Sequence, residues 1–270
     1  MDYKTYEPSK ELSTFIKCYW TLDAPKELKS EKQRIVSDGC MEMIFHYGDK
    51  FKQYAEDGSS IVQPKCFVFG QITLPLDIEP TGKTGIFSVR FHPGGFMPFS
   101  NVPVSSLENR AVSLTELFAD EGSELENSVL NASTIEARIN LVESFLLRNL
   151  AKPESIDRIV KSCIELIIQL NGQLSVGELS ERLNVNRRHL ERKFLRVIGL
   201  SPKQLLKIIR LQSTLKFLAD KNFENLTTIA HEASYYDQAH FIKDFKEFTG
   251  LSPKKFFDNK LKMSALFIGS

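Results

Sequence analysis

Arg188, Glu191 and Arg192 stand three and four residues apart, so on a helix they share one face. Those types at that spacing suit the edges of DNA bases. An arginine can fork onto guanine, and a glutamate can accept from cytosine N4. About fifty residues later, Gln238, Ala239, Ile242 and Lys243 repeat the spacing with softer types. Glutamine can pair with adenine, and alanine or isoleucine can touch a thymine methyl. Arg187, Lys193, Arg196, Lys203, His240, Lys246 and Lys254 flank the two sets and are candidates for phosphate contact. For each, a plain solvated surface is the competing reading. For Ile242 it is packing against a neighbour.

Reading of this kind needs helices with only one buried face. Leu190, Phe194 and Val197 form an i, i+4, i+7 stripe, which turns Arg188, Glu191, Arg192 and Leu195 outward. Before it, Ser175 with Glu178 is a capping box for a short helix carrying Val176, Leu179 and Leu183. Asn184-Val185-Asn186 makes a turn, and Asn186 caps the next helix. A short helix, a tight turn and a second one-sided helix is a helix-turn-helix. The pattern recurs, with Asn225 as a cap, Ile229 and Ala233 as core, Ser234 to Asp237 as the turn, and Phe241, Phe245 and Phe248 as the stripe.

The two units, about 175–197 and 225–248, are copies. Gly199-Leu-Ser-Pro-Lys203 and Gly250-Leu-Ser-Pro-Lys254 are identical, each after an equally spaced Phe. A helix from Pro202 to about Leu218 joins them and would fix their separation. Lys203 and Lys254 stand where helices begin, and helix starts favour anions.

Charge is distributed accordingly. Residues 155–262 hold 19 Lys and Arg against 12 Asp and Glu, whereas the whole chain is only +1. One half of the chain is therefore suited to a polyanion. The first 110 residues read as strand-rich, with short apolar runs such as Met43-Ile44-Phe45 and Ile86 to Phe91 between turn signals. The period becomes helical from about 113, with Ile135, Ile139, Val142, Leu146 and Leu150 on one stripe. The helix from 134 to 150 could pair with a second subunit or pack on its own domain. These signals divide the chain into 1–152 and 153–262, an α+β protein with a strand-rich barrel or sandwich first and an all-α domain second.

The stretch from about 156 to 258 resembles the DNA-binding domain of the AraC/XylS family of bacterial transcription regulators. The matching motifs are Arg187 to Phe194, Ile229 to Phe241 and the two Gly-Leu-Ser-Pro-Lys segments. The resemblance implies seven helices, the third and sixth lying in successive major grooves, with the base-facing positions named above. Ser234 departs from the glycine that the family carries in its second turn. The N-terminal part resembles an uncharacterised cupin-like sensor class through Asp38 to Phe45, Phe69-Gly70-Gln71 and Val89 to Gly95. The resemblance implies double-stranded DNA as partner, with a small-molecule effector, RNA polymerase and a second subunit as further candidates.

Trp20, Tyr47, Phe69, Arg90 and His92 are candidate lining of an effector pocket, with core or rim positions as the alternative. No metal or cofactor is expected, because His46 and His92 are too few for a cupin metal site. No enzyme is expected either. HExxH, GxSxG and phosphate-loop motifs are absent, and Cys40 is the one mild candidate nucleophile. The four cysteines lack tight spacing and read as reduced thiols. Without an apolar leader or a long apolar run, the sequence reads as cytoplasmic, with no membrane partner.

Overall fold

A computed structural model describes residues 1–27, 30–55, 57–150, 157–220, 235 and 238–258. The cap at Asn225, the core positions Ile229 and Ala233, and the turn serine Ser234 lie outside them.

The N-terminal half is two facing antiparallel sheets with a pair of helices. One sheet has the order β1-β2-β9-β4-β7-β10: β1 (Asp2–Tyr6), β2 (Ile16–Ala24), β4 (Glu42–His46), β7 (Cys66–Phe69), β9 (Thr84–Phe91) and β10 (Ala111–Ser113). The other has the order β3-β8-β5-β6: β3 (Gln33–Ile35), β5 (Phe51–Tyr54), β6 (Ser60–Val62) and β8 (Leu76–Pro80). Among the described residues the strands pair as two sheets of a sandwich, and no strand pairing joins them into a closed barrel.

Side-chain alternation along the larger sheet makes two cores. Met43, Phe45, Phe87, Val89 and Phe91 point to α1 (Leu114–Asn131) and α2 (Ile135–Asn149). Trp20, Leu22, Phe67, Phe69 and Ile86 point the other way, onto Phe51, Leu76 and Ile78 of the smaller sheet. Buried on both faces, β9 reads as a continuous apolar run broken only by Ser88 and Arg90. Val142, Phe145 and Leu146 commit one face of α2 to its own domain.

The C-terminal half is helical: α3 (Arg158–Gln169), α4 (Val176–Arg182), α5 (Arg187–Val197), α6 (Pro202–Asp220), α7 (Gln238–Thr249) and α8 (Pro253–Asp258). One core joins Val160, Cys163 and Ile167 of α3 with Leu190 and Phe194 of α5, Leu205 to Leu215 along α6, and Phe241, Phe245 and Phe248 of α7. Val36, from the turn after β3, is buried in this core too. Truncating a buried phenylalanine such as Phe194 to alanine typically costs about 3–5 kcal/mol.

The two halves meet along a continuous surface. A side chain built on Gly94 would lie 3.4 Å from Val197, and one on Gly199 would lie 3.2 Å from Val104. Gln212 of α6 donates to the Ser37 carbonyl at 2.8 Å.

Candidate nucleic-acid interface

The first unit is built as its sequence requires. Ser175 accepts from the Glu178 amide while Glu178 accepts from the Ser175 amide, closing a capping box on α4. The chain turns at Asn184, whose φ of +48 lies in the left-handed region that asparagine tolerates. Asn186 then accepts from the Arg188 amide at 3.0 Å and starts α5.

Leu190, Phe194 and Val197 are buried, and Arg188, Glu191, Arg192, Leu195 and Arg196 are exposed. The exposed face is partly pre-arranged. Arg187 donates to Glu191 at 3.2 Å, and Arg192 lies 3.1 Å from Nδ1 of His189. Exposed pairs of this kind contribute little to stability, so they can open when a ligand offers better partners. Lys193 differs from its neighbours. It is ion-paired with Asp157, the residue that caps α3. Burial pushes the Asp157 carboxyl up, but Lys193 and the Val160 and Ile159 amides pull it further down, below its ordinary range.

In the second unit Ala239, Lys243 and Lys246 are exposed on α7, and Gln238 is half-buried at its start. Ile242 is half-buried and packs against the helical core. His240 is turned toward Asp244, with Nε2 3.6 Å from the carboxylate. Asp244 is buried and paired at 2.9 Å with Lys207 of α6, which also reaches Glu247 at 2.8 Å. Burial pulls the Lys207 ammonium down, but Glu247 and Asp244 outweigh it and raise the pKa. This cross-helix pair holds α7 on α6. No signal in the sequence distinguished Asp244 from a solvated acid.

Lys203 and Lys254 are exposed in the first turns of α6 and α8. Ser201 accepts from the Gln204 amide at 3.2 Å, so α6 opens with its own capping box. Among the pocket candidates, Trp20, Phe69 and Arg90 line one cavity between the two sheets. Tyr47 and His92 do not join them. Tyr47 donates to Asp23 at 2.7 Å and lies under Arg138. His92 lies in a separate groove between the halves, its imidazole pKa lowered by burial.

Cys40 is buried, and burial pushes its thiol up to about 12, which suits no nucleophile. Among the described residues no group of three or more His, Cys, Asp or Glu is placed to hold a metal. Nor is any described helix long and apolar enough to cross a membrane.

Residues 179–259 match the family described as a helix-turn-helix domain, over the same units. The chain carries an AraC-type helix-turn-helix domain. Residues 4–113, ahead of the AraC-type domain, match a domain of unknown function, DUF6597. An uncharacterized HTH-type transcriptional regulator of Haemophilus influenzae is 28% identical over 153 residues, 53% of this chain and 50% of the relative. The Msm operon regulatory protein of Streptococcus mutans is 27% identical over 118 residues, 43% of this chain and 42% of the relative. The chain thus spans about half the length of the curated relatives it matches. Among solved structures, ToxT from Vibrio cholerae aligns at a TM-score of 0.47 and 14% identity, covering 89% of this chain and 98% of that one. The C-terminal domain of AraT, a response regulator from Geobacillus stearothermophilus, aligns at 26% identity and a TM-score of 0.37, covering 40% of this chain and 89% of that one.

Proposed function

We propose that this protein is a sequence-specific DNA-binding transcription regulator whose two helix-turn-helix units read successive major grooves, tuned by a small effector acting on the N-terminal half. The observation that carries the reading is α5. It is capped, rigidly packed through Leu190, Phe194 and Val197, and presents Arg188, Glu191, Arg192 and Arg196 together on its open face. Rigid phosphate contacts would set register and the exposed side chains would read bases. Of the flanking cations, Arg187, Arg196, Lys203, Lys246 and Lys254 are exposed and suit phosphate. Lys193 is engaged with Asp157 and suits it less. On α7, Ala239 and Lys243 are exposed and Gln238 and Ile242 half-buried, so Gln238, Ala239 and Lys243 are taken as readers, with Ile242 divided between groove and core.

Selection of bound fragments from genomic DNA tests this. The expected product is a motif of two short blocks about 10 base pairs apart, one helical turn. Binding without sequence preference would reject it.

A further inference from the structure

The cavity between the sheets has a charge pattern that its apolar lining conceals. Its walls are Trp20, Phe51, Phe69, Leu76, Ile78 and Ile86, and its volume is about 80 Å³. At one end stand Asp38, Glu42 and Arg90. Strand register explains the cluster, since Glu42 and Arg90 are direct partners across β4 and β9. Arg90 donates to Glu42 at 2.7 Å and is also ion-paired with Asp38. Glu42 further accepts from Trp20 at 3.1 Å and Ser88 at 2.9 Å. At the other end His46 stacks on Phe51, with Gln63 beside it but no aligned hydrogen bond to either ring nitrogen.

Two carboxylates share one guanidinium, and burial raises the Glu42 carboxyl to about 7, so near neutrality Glu42 is poised between its neutral and charged forms. Exposure decides which sign a ligand meets. The Arg90 side chain is 2% exposed, whereas those of Asp38 and Glu42 are each 16% exposed. The open surface of the cluster is therefore acidic. A carboxylate ligand would oppose the charged form of Glu42, and a neutral one would leave that carboxyl poised. An ammonium would favour the charged form of Glu42 and pair with it, with aromatic faces beside it that favour cations. Lys17 and Lys216 line the groove on the other side of the Asp38–Arg90 pair, and Lys17 is near enough to favour the charged form of Glu42.

We propose that this cavity binds a compact, largely apolar molecule bearing one protonated amine, its ammonium on Asp38 and Glu42 and its body among Trp20, Phe51, Ile78 and Ile86. The site also has a route outward. Along 34–40 the chain serves both the cavity and the helical domain. Ile35 and Asp38 line the cavity. Arg34 binds the Thr249 carbonyl, Val36 enters the helical core, Ser37 accepts from Gln212, and Gly39 approaches Leu205. An amine that draws Asp38 inward moves a segment that touches α6 and the end of α7. Its role as effector rests on the modulation proposed above; the binding itself does not.

Trp20 is the single tryptophan of the chain, which gives a local reporter. The full-length protein is titrated with isobutylamine, isobutanol and isobutyrate, small enough for a cavity of about 80 Å³, while its emission is followed. We expect a saturable change with the amine in the millimolar range or below, binding of the alcohol about tenfold weaker, and none with the acid. Glu42→Gln should weaken the amine about tenfold and leave the alcohol unchanged. Asp38→Asn serves the same purpose if that variant fails to fold. Ile78→Phe should abolish binding of both by filling the space. Acid binding as tight as amine, silence from all three compounds, or undiminished binding in Ile78→Phe would overturn the site. Amine binding that leaves affinity for the selected DNA unchanged would overturn the modulation reading and leave the site standing.

Discussion

Arg34 Nη1 donates to the Thr249 carbonyl at 2.9 Å, tying strand β3 to the C-terminal end of α7. A cation there also meets the negative end of the helix dipole. Gly250, which follows with φ +67, lies under Pro75 and Arg34. Its counterpart in the first copy, Gly199 with φ +81, lies under Val104. The N-terminal half thus grips both units at the same position of the repeat.

Arg34→Met should loosen the second unit alone. Arg34 also forks onto Asp77 at 2.7 and 2.6 Å, so removing it strands a part-buried carboxylate, and a cost of about 1–3 kcal/mol is expected. Hydrogen exchange should quicken in α7 and stay unchanged in α5. Equal quickening in both would show a general loss of stability instead.

Arg192 and Lys203 should separate base reading from charge. Arg192→Ala is expected to cost about 1–3 kcal/mol on the selected site and to relax preference at one or two positions. Lys203→Ala should weaken binding to all sequences and flatten the salt dependence by about one phosphate contact. Binding assays over a salt series, on matched and scrambled DNA, distinguish them.

Lys193→Gln should act on folding before DNA. Its partner Asp157 caps α3 by accepting from the Ile159 and Val160 amides. Because the Asp157 pKa is depressed, its contribution is present above the ordinary aspartate range and is lost as pH falls through the lower folded value. The variant should be less stable near neutrality and show a shallower acid transition, with the salt dependence of DNA binding unchanged. Arg196→Gln should show the reverse.

His46 predicts a second pH window. Burial holds its imidazole at about 4, below an unfolded value of 6.5, so the unfolded chain binds more protons between the two. Stability should fall as pH drops from about 6.5 to 4, by on the order of 2–3 kcal/mol. His46→Phe, between Phe51 and Phe67, should remove that slope in denaturant titrations across the range.

Features of short range were legible before the structure. The capping box at Ser175, the turn at Asn184 and the stripe Leu190, Phe194 and Val197 follow from local spacing, and the structure contains each. The outward positions of α5 follow from that stripe by helical geometry. Pairings across long separations were not legible. Arg90 meets Asp38 and Glu42 only because β9 lies beside β4, and no residue pattern announces that neighbour. Lys193 looked like any basic residue beside a reading face until Asp157 was brought to it. Ile242 could read a methyl or fill a core, and only the position of its neighbours decides. Tyr47 and His92 were grouped with Trp20 by residue type, whereas the sheets send them elsewhere.

The segment after β3 also bears on exchanging such domains between regulators. The sequence signals suggest a border near residues 150–156, where a designer would cut. The fit of the N-terminal half to the helical half is written far upstream, in Arg34, Val36, Ser37 and Gly39. A hybrid joined at the apparent border would inherit a foreign socket, so those upstream positions should be transplanted together with the helices they hold.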